Sequence, residues 1–310
     1  MLSFKSCDSQ IPKKKHSSYS LTLVDSLDTL FIVGEKEEFV RAIRLVVSNV
    51  DFDKDIVVNV FETTIRGLGG LLSAHMLAEK FLGSEEYNSE LLNLAVDLGN
   101  RLLVAFDTPT GIPYSLVNLR KGVVPELTSV TCLAGAGTLI LEFGMLSRLR
   151  KDDRYEMAAK KAITALWKRK SQINLLGNSI DVISGEWISK VSSIGAGTDS
   201  FFEYLLKANL LLGNESYLSM FHDAYTAIES RVKVNGWYFS VAMDNANLLY
   251  TVAEGLSAFW PALQVFAEEY EAAFNNFSRW FGLWLKFRCV PGKANLFMFV
   301  SYQKLPFLMV

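Results

Sequence analysis

The sequence predicts an all-α protein built from repeated helical hairpins, and three observations carry that reading. A short polar turn joining a very apolar helix to an amphipathic one recurs along the chain. An aromatic residue marks the start of the second helix each time. The charged residues of the apolar helices gather at their beginnings. Helices apolar nearly all round are buried, and striped ones cover them. Copies of about 60 residues then stack as a solenoid or close into a two-layered ring with the apolar helices inside.

The copies read in order as follows. "LDTLFIVGEKEEFVRAIRLVV" is the first, with Phe39 in the aromatic position. "HMLAEKFLGSEEYNSELLNLAVDLGNRLL" turns at Gly83-Ser84 and restarts through Tyr87. "LEFGMLSRLRKDDRYEMAAKKAITALW" turns at Asp152-Asp153 and restarts at Tyr155. "LLKANLLLGNESYLSMFHDAYTAIESRV" turns at Gly213-Asn214 and restarts at Tyr217; the tyrosines are 68 and 62 residues apart. In the second helices, Leu91, Leu94, Ala95 and Leu98 fit a helical stripe, and Met157, Ala158, Ala162 and Leu166 fit one approximately.

Composition narrows the function. The chain has 310 residues, 50% hydrophobic and 21% charged, with net charge −2. That is ample for a core, and a near-neutral chain with no basic cluster beyond Lys13-Lys14-Lys15 is not expected to bind nucleic acid. No apolar run reaches the roughly 20 residues of a membrane span. "SLTLVDSLDTLFIVG" comes nearest, and Asp25 and Asp28 interrupt it. Cys7, Cys132 and Cys289, with His16, His75 and His222, have no metal-ligand spacing, and the odd cysteine count leaves the redox compartment open. No secretory leader is visible before Ser18. Two N-glycosylation sequons occur, Asn214-Glu215-Ser216 and Asn276-Phe277-Ser278, in a pattern that also arises by chance.

The charges on apolar helices are the candidate site. "VFETTIRGLGGLLSAH" carries Glu62 and Arg66 one turn apart, "TLILEFGML" carries Glu142, and "GTDSFFEYLLKANLLLG" carries Asp199 and Glu203. Burying charge is costly unless it is paired or used, and the free N–H groups of a first turn favour carboxylates. Gly-, Pro- or Thr-rich loops precede these helices, "FDTPTGIPYSLVNLRKG" being the longest, so the acids are expected to line one mouth of the helical array. Structural readings stand beside this one: Glu62 and Arg66 as a surface pair, Asp199 as a helix cap, Glu142 as a structural acid, His75 as a satisfied core histidine. "LSAFWPALQVF" reads as core packing, with sugar stacking as the alternative.

Taken together, "SLTLVDSLDTLFIVG", "VFETTIRGLGGLLSAH", "FDTPTGIPYSLVN", "LEFGMLSRL", "DSFFEYLLKA" and "LSAFWPALQV" resemble, in order, the landmarks of glycoside hydrolase family 47, the class I α-1,2-mannosidases. The resemblance runs from about Tyr19 to Phe287, leaving 1–18 and 288–310 unmatched. "FDTPTGIPYSLVNL", and Gly197 where the trimming enzymes usually carry arginine, point to the ER degradation-enhancing α-mannosidase-like group. The resemblance implies an (α/α)7 barrel, here with about five hairpins, and inverting hydrolysis of α-1,2-linked mannose with bound calcium. It implies Glu62 and Asp199 as catalytic carboxylates, and Arg66, Glu142 and Glu203 as substrate contacts. The implied setting is the ER lumen, with high-mannose N-glycans of misfolded glycoproteins as partners and an ER oxidoreductase as another. Past Phe287 the family's arginine-proline-glutamate motif and its calcium-binding threonine are not found. The chain reads as shortened at both ends, so a non-catalytic fragment that binds mannose glycans or partner proteins is the alternative function.

Overall fold

The computed structural model of the chain describes residues 19–124 and 127–295. The chain divides into two compact units: residues up to Lys168 with Asp181–Glu186, and Arg169–Ile180 with the residues from Trp187 onward.

In the first unit the helices are α1 (Leu21–Asp25), α2 (Leu27–Ile32), α3 (Lys36–Asn49) and the single turn α4 (Val60–Glu62). A π-helical segment (Thr63–Leu68) follows and continues into α5 (Gly69–Leu82). After α6 (Glu90–Leu103) come the short α7 (Leu133–Gly137), then α8 (Ile140–Arg150) and α9 (Arg154–Trp167). Three hairpins result: α2 with α3, α5 with α6, α8 with α9. The second unit adds α10 (Asp199–Leu212) with α11 (Glu215–Arg231), and α12 (Trp260–Phe266) with α13 (Tyr270–Phe287). The described residues thus hold five hairpins, the four read from the repeat and one more, in line with the count that the family resemblance implies. No described helix is long and apolar enough to cross a membrane.

In four of the five hairpins the aromatic that opens the second helix is a core anchor, whereas Tyr270, which opens α13, is exposed. Phe39, Tyr87, Tyr155 and Tyr217 are all buried, at 0, 7, 1 and 1% exposure. A tyrosine placed there buries its ring and still needs a partner for its hydroxyl. Tyr155 donates to Asn100 Oδ1 at 2.8 Å. Tyr87 accepts from the Leu91 amide at 3.2 Å and lies 2.9 Å from His75 Nδ1. His75 is therefore a satisfied core histidine, and burial lowers its proton affinity. The hairpins close on left-handed residues: Gly83 (φ 72°), Lys151 (φ 55°) and Gly213 (φ 70°).

Tyr155 also corrects the stripe expected on α9. Its buried face is Tyr155, Ala159, Ala162, Ile163 and Leu166, whereas Met157 is 65% exposed. The ring lies against Phe143 at 6.3 Å and against Gly99, where an added Cβ would stand 3.4 Å from Tyr155 Cε1 and 2.5 Å from Leu146. That anchor sets the helix phase, and Met157 falls outside it. On α6, Leu92 is buried and Leu94 only half-buried. On α10, Leu210 and Leu211 are exposed, so its apolar run is not covered all round.

The second unit has an aromatic core. Trp260 is fully buried and stacks on Tyr225 with centroids 5.8 Å apart, so the centre of "LSAFWPALQVF" is core packing while Leu256, Val265 and Phe266 are exposed. Gln264 is fully buried and donates to Glu229 (3.2 Å), Tyr225 (3.2 Å) and Tyr238 (3.1 Å). Trp237 meets Trp280 edge-on over Phe239, Ala253 and Leu283.

Outside that core, α13 carries Phe274, Phe277, Phe281 and Trp284 at 70, 55, 43 and 52% exposure. A contiguous aromatic face of this kind drives association. The isolated chain is expected to self-associate in a concentration-dependent way, read by sedimentation velocity. Converting Phe277 and Phe281 to Asp should shift it toward monomer, and a wild-type chain that stays monomeric at high concentration would contradict the reading.

Candidate active site

Glu62 is positioned by backbone before any side chain. Strands β1 (Val57–Asn59) and β2 (Leu116–Asn118) pair antiparallel, and the Val60 amide continues the pairing to the Ser115 carbonyl at 2.9 Å. Asn59 then caps the helix: its Oδ1 accepts from the Glu62 amide at 2.9 Å, satisfying a first-turn N–H. β2 belongs to "FDTPTGIPYSLVNLRKG", itself braced by Thr108 Oγ1 to Ile112 O (2.8 Å) and Thr110 Oγ1 to Val182 O (2.6 Å). Asn118 closes the far end, donating to Asp55 and accepting from the Arg120 and Lys121 amides. The long loop that the sequence shows is thus the backing for the strand that launches Glu62.

Arg66 sits one turn on, inside the π segment, where a widened turn is a frequent mark of functional sites. Its Nε donates to Glu62 Oε2 at 2.7 Å, and its Nη1 lies 3.5 Å from Asp25 Oδ2. Glu62 and then Asp25 hold the guanidinium above its ordinary value. All three side chains are partly exposed, so the pairs contribute orientation more than stability. Asp25 reaches Arg66 because α1 lies directly on α5: an added Cβ at Gly70 would stand 2.8 Å from the Val24 carbonyl oxygen. Glu142, in the first turn of α8, lies against Gly69, its Cγ 3.5 Å from where a Cβ would be.

In the second unit, Asp199 opens α10, and Thr198 rather than Asp199 is the capping position. Thr198 is buried and its hydroxyl donates to the Ser193 (2.7 Å) and Gly195 (3.0 Å) carbonyls, tying the loop down. Gly197 has φ 84°, and a Cβ there would stand 2.9 Å from Asn178 Nδ2. That amide donates to the Ala196 carbonyl at 2.8 Å. Asp199 Oδ1 accepts from the Ser200 amide at 2.7 Å. Burial raises the Asp199 carboxyl above its ordinary 3.8, the Ser200 bonds oppose this, and the charges of Glu203 and Glu254 add to it. Glu203 is paired with Lys207 at 2.7 Å.

The structure therefore groups Glu62 and Arg66 with Asp25 and sets Glu142 beside α5 in one unit, and groups Asp199 and Glu203 with Glu254 in the other. Asp25 and Glu254 are the additions. Glu254 Oε2 accepts from the Ala196 amide at 3.1 Å, and Lys293 lies 3.6 Å from its Oε1. Sequence reading met Asp25 only as an interruption of an apolar run. The signal that could have found it is the same one that marked Glu62, an acid in an otherwise apolar stretch of sequence.

Two outcomes follow from this geometry. Gly70→Val pushes α1 off α5 and is expected to destabilise the fold by about 1–3 kcal/mol, measured by denaturant titration. Asp199 carries the second. Its carboxyl binds its proton more tightly folded than unfolded, so its contribution to stability is full below pH 3.8 and is lost as pH rises through the folded value. Asp199→Asn should then raise the Tm at neutral pH and leave it little changed at pH 3; a lower Tm at neutral pH would contradict the assignment.

Comparison with known proteins gives this arrangement its context. The family model of glycosyl hydrolase family 47 matches residues 5–279. Alpha-mannosidase I MNS4 of Arabidopsis thaliana is 46% identical over 281 residues, covering 90% of this chain and 45% of that protein. Human ER degradation-enhancing alpha-mannosidase-like protein 2 is 42% identical over 283 residues, covering 90% and 49%. Among solved structures, an alpha-1,2-mannosidase from Trichoderma reesei superposes with TM-score 0.71 at 25% identity, over 83% of this chain and 57% of that one. The chain spans about half the length of the curated relatives it matches. Its all-α hairpins are of the (α/α)7-barrel class. The family implies calcium, yet among the described residues no group of three or more His, Cys, Asp or Glu side chains is placed to hold a metal ion. The chain belongs to glycosyl hydrolase family 47.

Proposed function

We propose that this chain is the mannose-recognising part of an α-1,2-mannosidase of the ER degradation-enhancing group, acting on high-mannose N-glycans of misfolded glycoproteins in the ER lumen. The observation that carries the reading is Asp199: a carboxyl at the start of an apolar helix, in a family motif, with its proton affinity raised by burial. Inverting hydrolysis needs one carboxyl to protonate the leaving oxygen and another to activate water on the opposite face of the sugar. Glu62 and Asp199 are proposed as two such groups, with Glu62 in the acid position that the family resemblance gives it. A carboxyl whose proton affinity is raised by burial suits acid or base work there. Arg66 fixes the Glu62 carboxylate by a direct bond while Asp25 shares its charge. Glu142 and Glu203 are proposed as sugar-hydroxyl acceptors. An ER oxidoreductase would engage an accessible thiol, and Cys289 is exposed whereas Cys132 is buried.

The test is release of mannose from a high-mannose N-glycan by a protein that joins this chain to the family's arginine-proline-glutamate segment. Glu62→Gln and Asp199→Asn are each expected to lower release by at least about 10²-fold, the scale of general acid–base assistance. Unchanged release from either variant removes that residue from the proposed role. The 310-residue chain alone is expected to bind the glycan in calorimetry with little turnover. Release at the rate of the longer protein would show that Glu62 and Asp199 suffice.

A further inference from the structure

We propose that Asn214 is an N-glycan acceptor of this chain, and that the second sequon, at Asn276, carries no glycan in the folded protein. Asn214 stands in the turn between α10 and α11, after Gly213 (φ 70°), with extended backbone (φ −114°, ψ 103°). Its Oδ1 accepts from the Ser216 amide at 3.1 Å and from the Ser216 hydroxyl at 2.7 Å. Both bonds use the oxygen, and Nδ2 has no hydrogen-bond partner among the described residues. Gly213, Glu215 and Ser216 around it are exposed. An acceptor amide must present its nitrogen to a large transferase and then to a hydrated oligosaccharide, which a tight surface turn permits.

Asn276 is the opposite case. It lies in the middle of α13 at 3% exposure, and its Nδ2 donates to Gln264 Oε1 at 3.3 Å. Gln264 in turn serves Tyr225, Tyr238 and Glu229 beneath Trp260. A sugar on that nitrogen would have to occupy space filled by this network, so a molecule modified there cannot complete the packing of the second unit.

In the reaction, Asn214 Nδ2 forms a bond to the anomeric carbon of a lipid-diphosphate-linked oligosaccharide. The carbon–oxygen bond to the diphosphate breaks, the lipid diphosphate leaves, and one Nδ2 proton passes to a base of the transferase. No oxidation or reduction is involved.

The inference rests on the lumenal placement proposed above, and the experiment separates the two. The chain is translated behind a cleavable secretory leader with ER microsomes, and glycans are counted by endoglycosidase mobility shift on the protease-resistant product. One glycan is expected, lost in Asn214→Gln. Asn276→Gln removes a buried hydrogen bond and can impair folding, so Ser278→Ala serves as the second variant: it deletes that sequon, keeps the buried amide, and should still carry one glycan. No glycan on the wild type, a glycan that persists in Asn214→Gln, or two glycans on the protease-resistant product would overturn the proposal. The protein purified from its own cells reads the placement: a glycan on Asn214 there supports both inferences. Its absence there, with modification behind the leader, upholds the acceptor and overturns the lumenal reading.

Discussion

A helix that is apolar over most of its surface can carry a carboxylate cheaply only in its first turn, where free N–H groups and the helix dipole stabilise negative charge. The rest of the structure depends on that constraint. Glu62, Glu142 and Asp199 all occupy first turns, Glu62 at the turn that leads into the π segment and α5, Glu142 and Asp199 on helices with one face in the core. Such helices end in solvent or in a loop only at their tips, so any polar chemistry is confined to the tips as well. The loops leading in must then be rigid, because they set where each carboxylate points.

Each unit solves that positioning problem differently. Glu62 follows a two-stranded ladder and an asparagine cap, then leans on Arg66, whose charge is shared with Asp25. It is partly exposed and paired. Asp199 follows a loop held by a buried threonine, a left-handed glycine and Asn178. Among the described residues no cation lies within salt-bridge distance of it, and burial works against its charge. An acid kept in that condition costs stability, which is the ordinary signature of a residue held for chemistry rather than for folding.

The hairpins themselves are conventional in their energetics. In four of the five hairpins an aromatic is driven into the core where the second helix begins, and tyrosines among them find partners for their hydroxyls at Asn100 and at His75 with Leu91. Close helix approach is bought with glycine at Gly99 and Gly70, where a methyl group would strike Leu146 or the Val24 carbonyl. The aromatic face of α13 is where this logic of covering stops among the described residues.

The sequence by itself determined the helical class, the hairpin turns and the buried aromatic positions, because these follow from local periodicity and from turn residues that act within a few positions. It also named Glu62, Arg66, Glu142, Asp199 and Glu203, since acids and a base in apolar runs stand out without coordinates. Only the tertiary structure decided the rest. Asp25 joins Arg66 across a contact that Gly70 permits, and Glu254 joins the Asp199 loop from a distant strand. The α9 stripe moved off Met157 because Tyr155 locks against Gly99 and Asn100 of another helix. Two identical sequons diverged because one asparagine caps a surface turn and the other is enclosed by Gln264. In each instance the deciding neighbour is far away in the chain, and a local pattern holds no record of which distant residue will be packed against it.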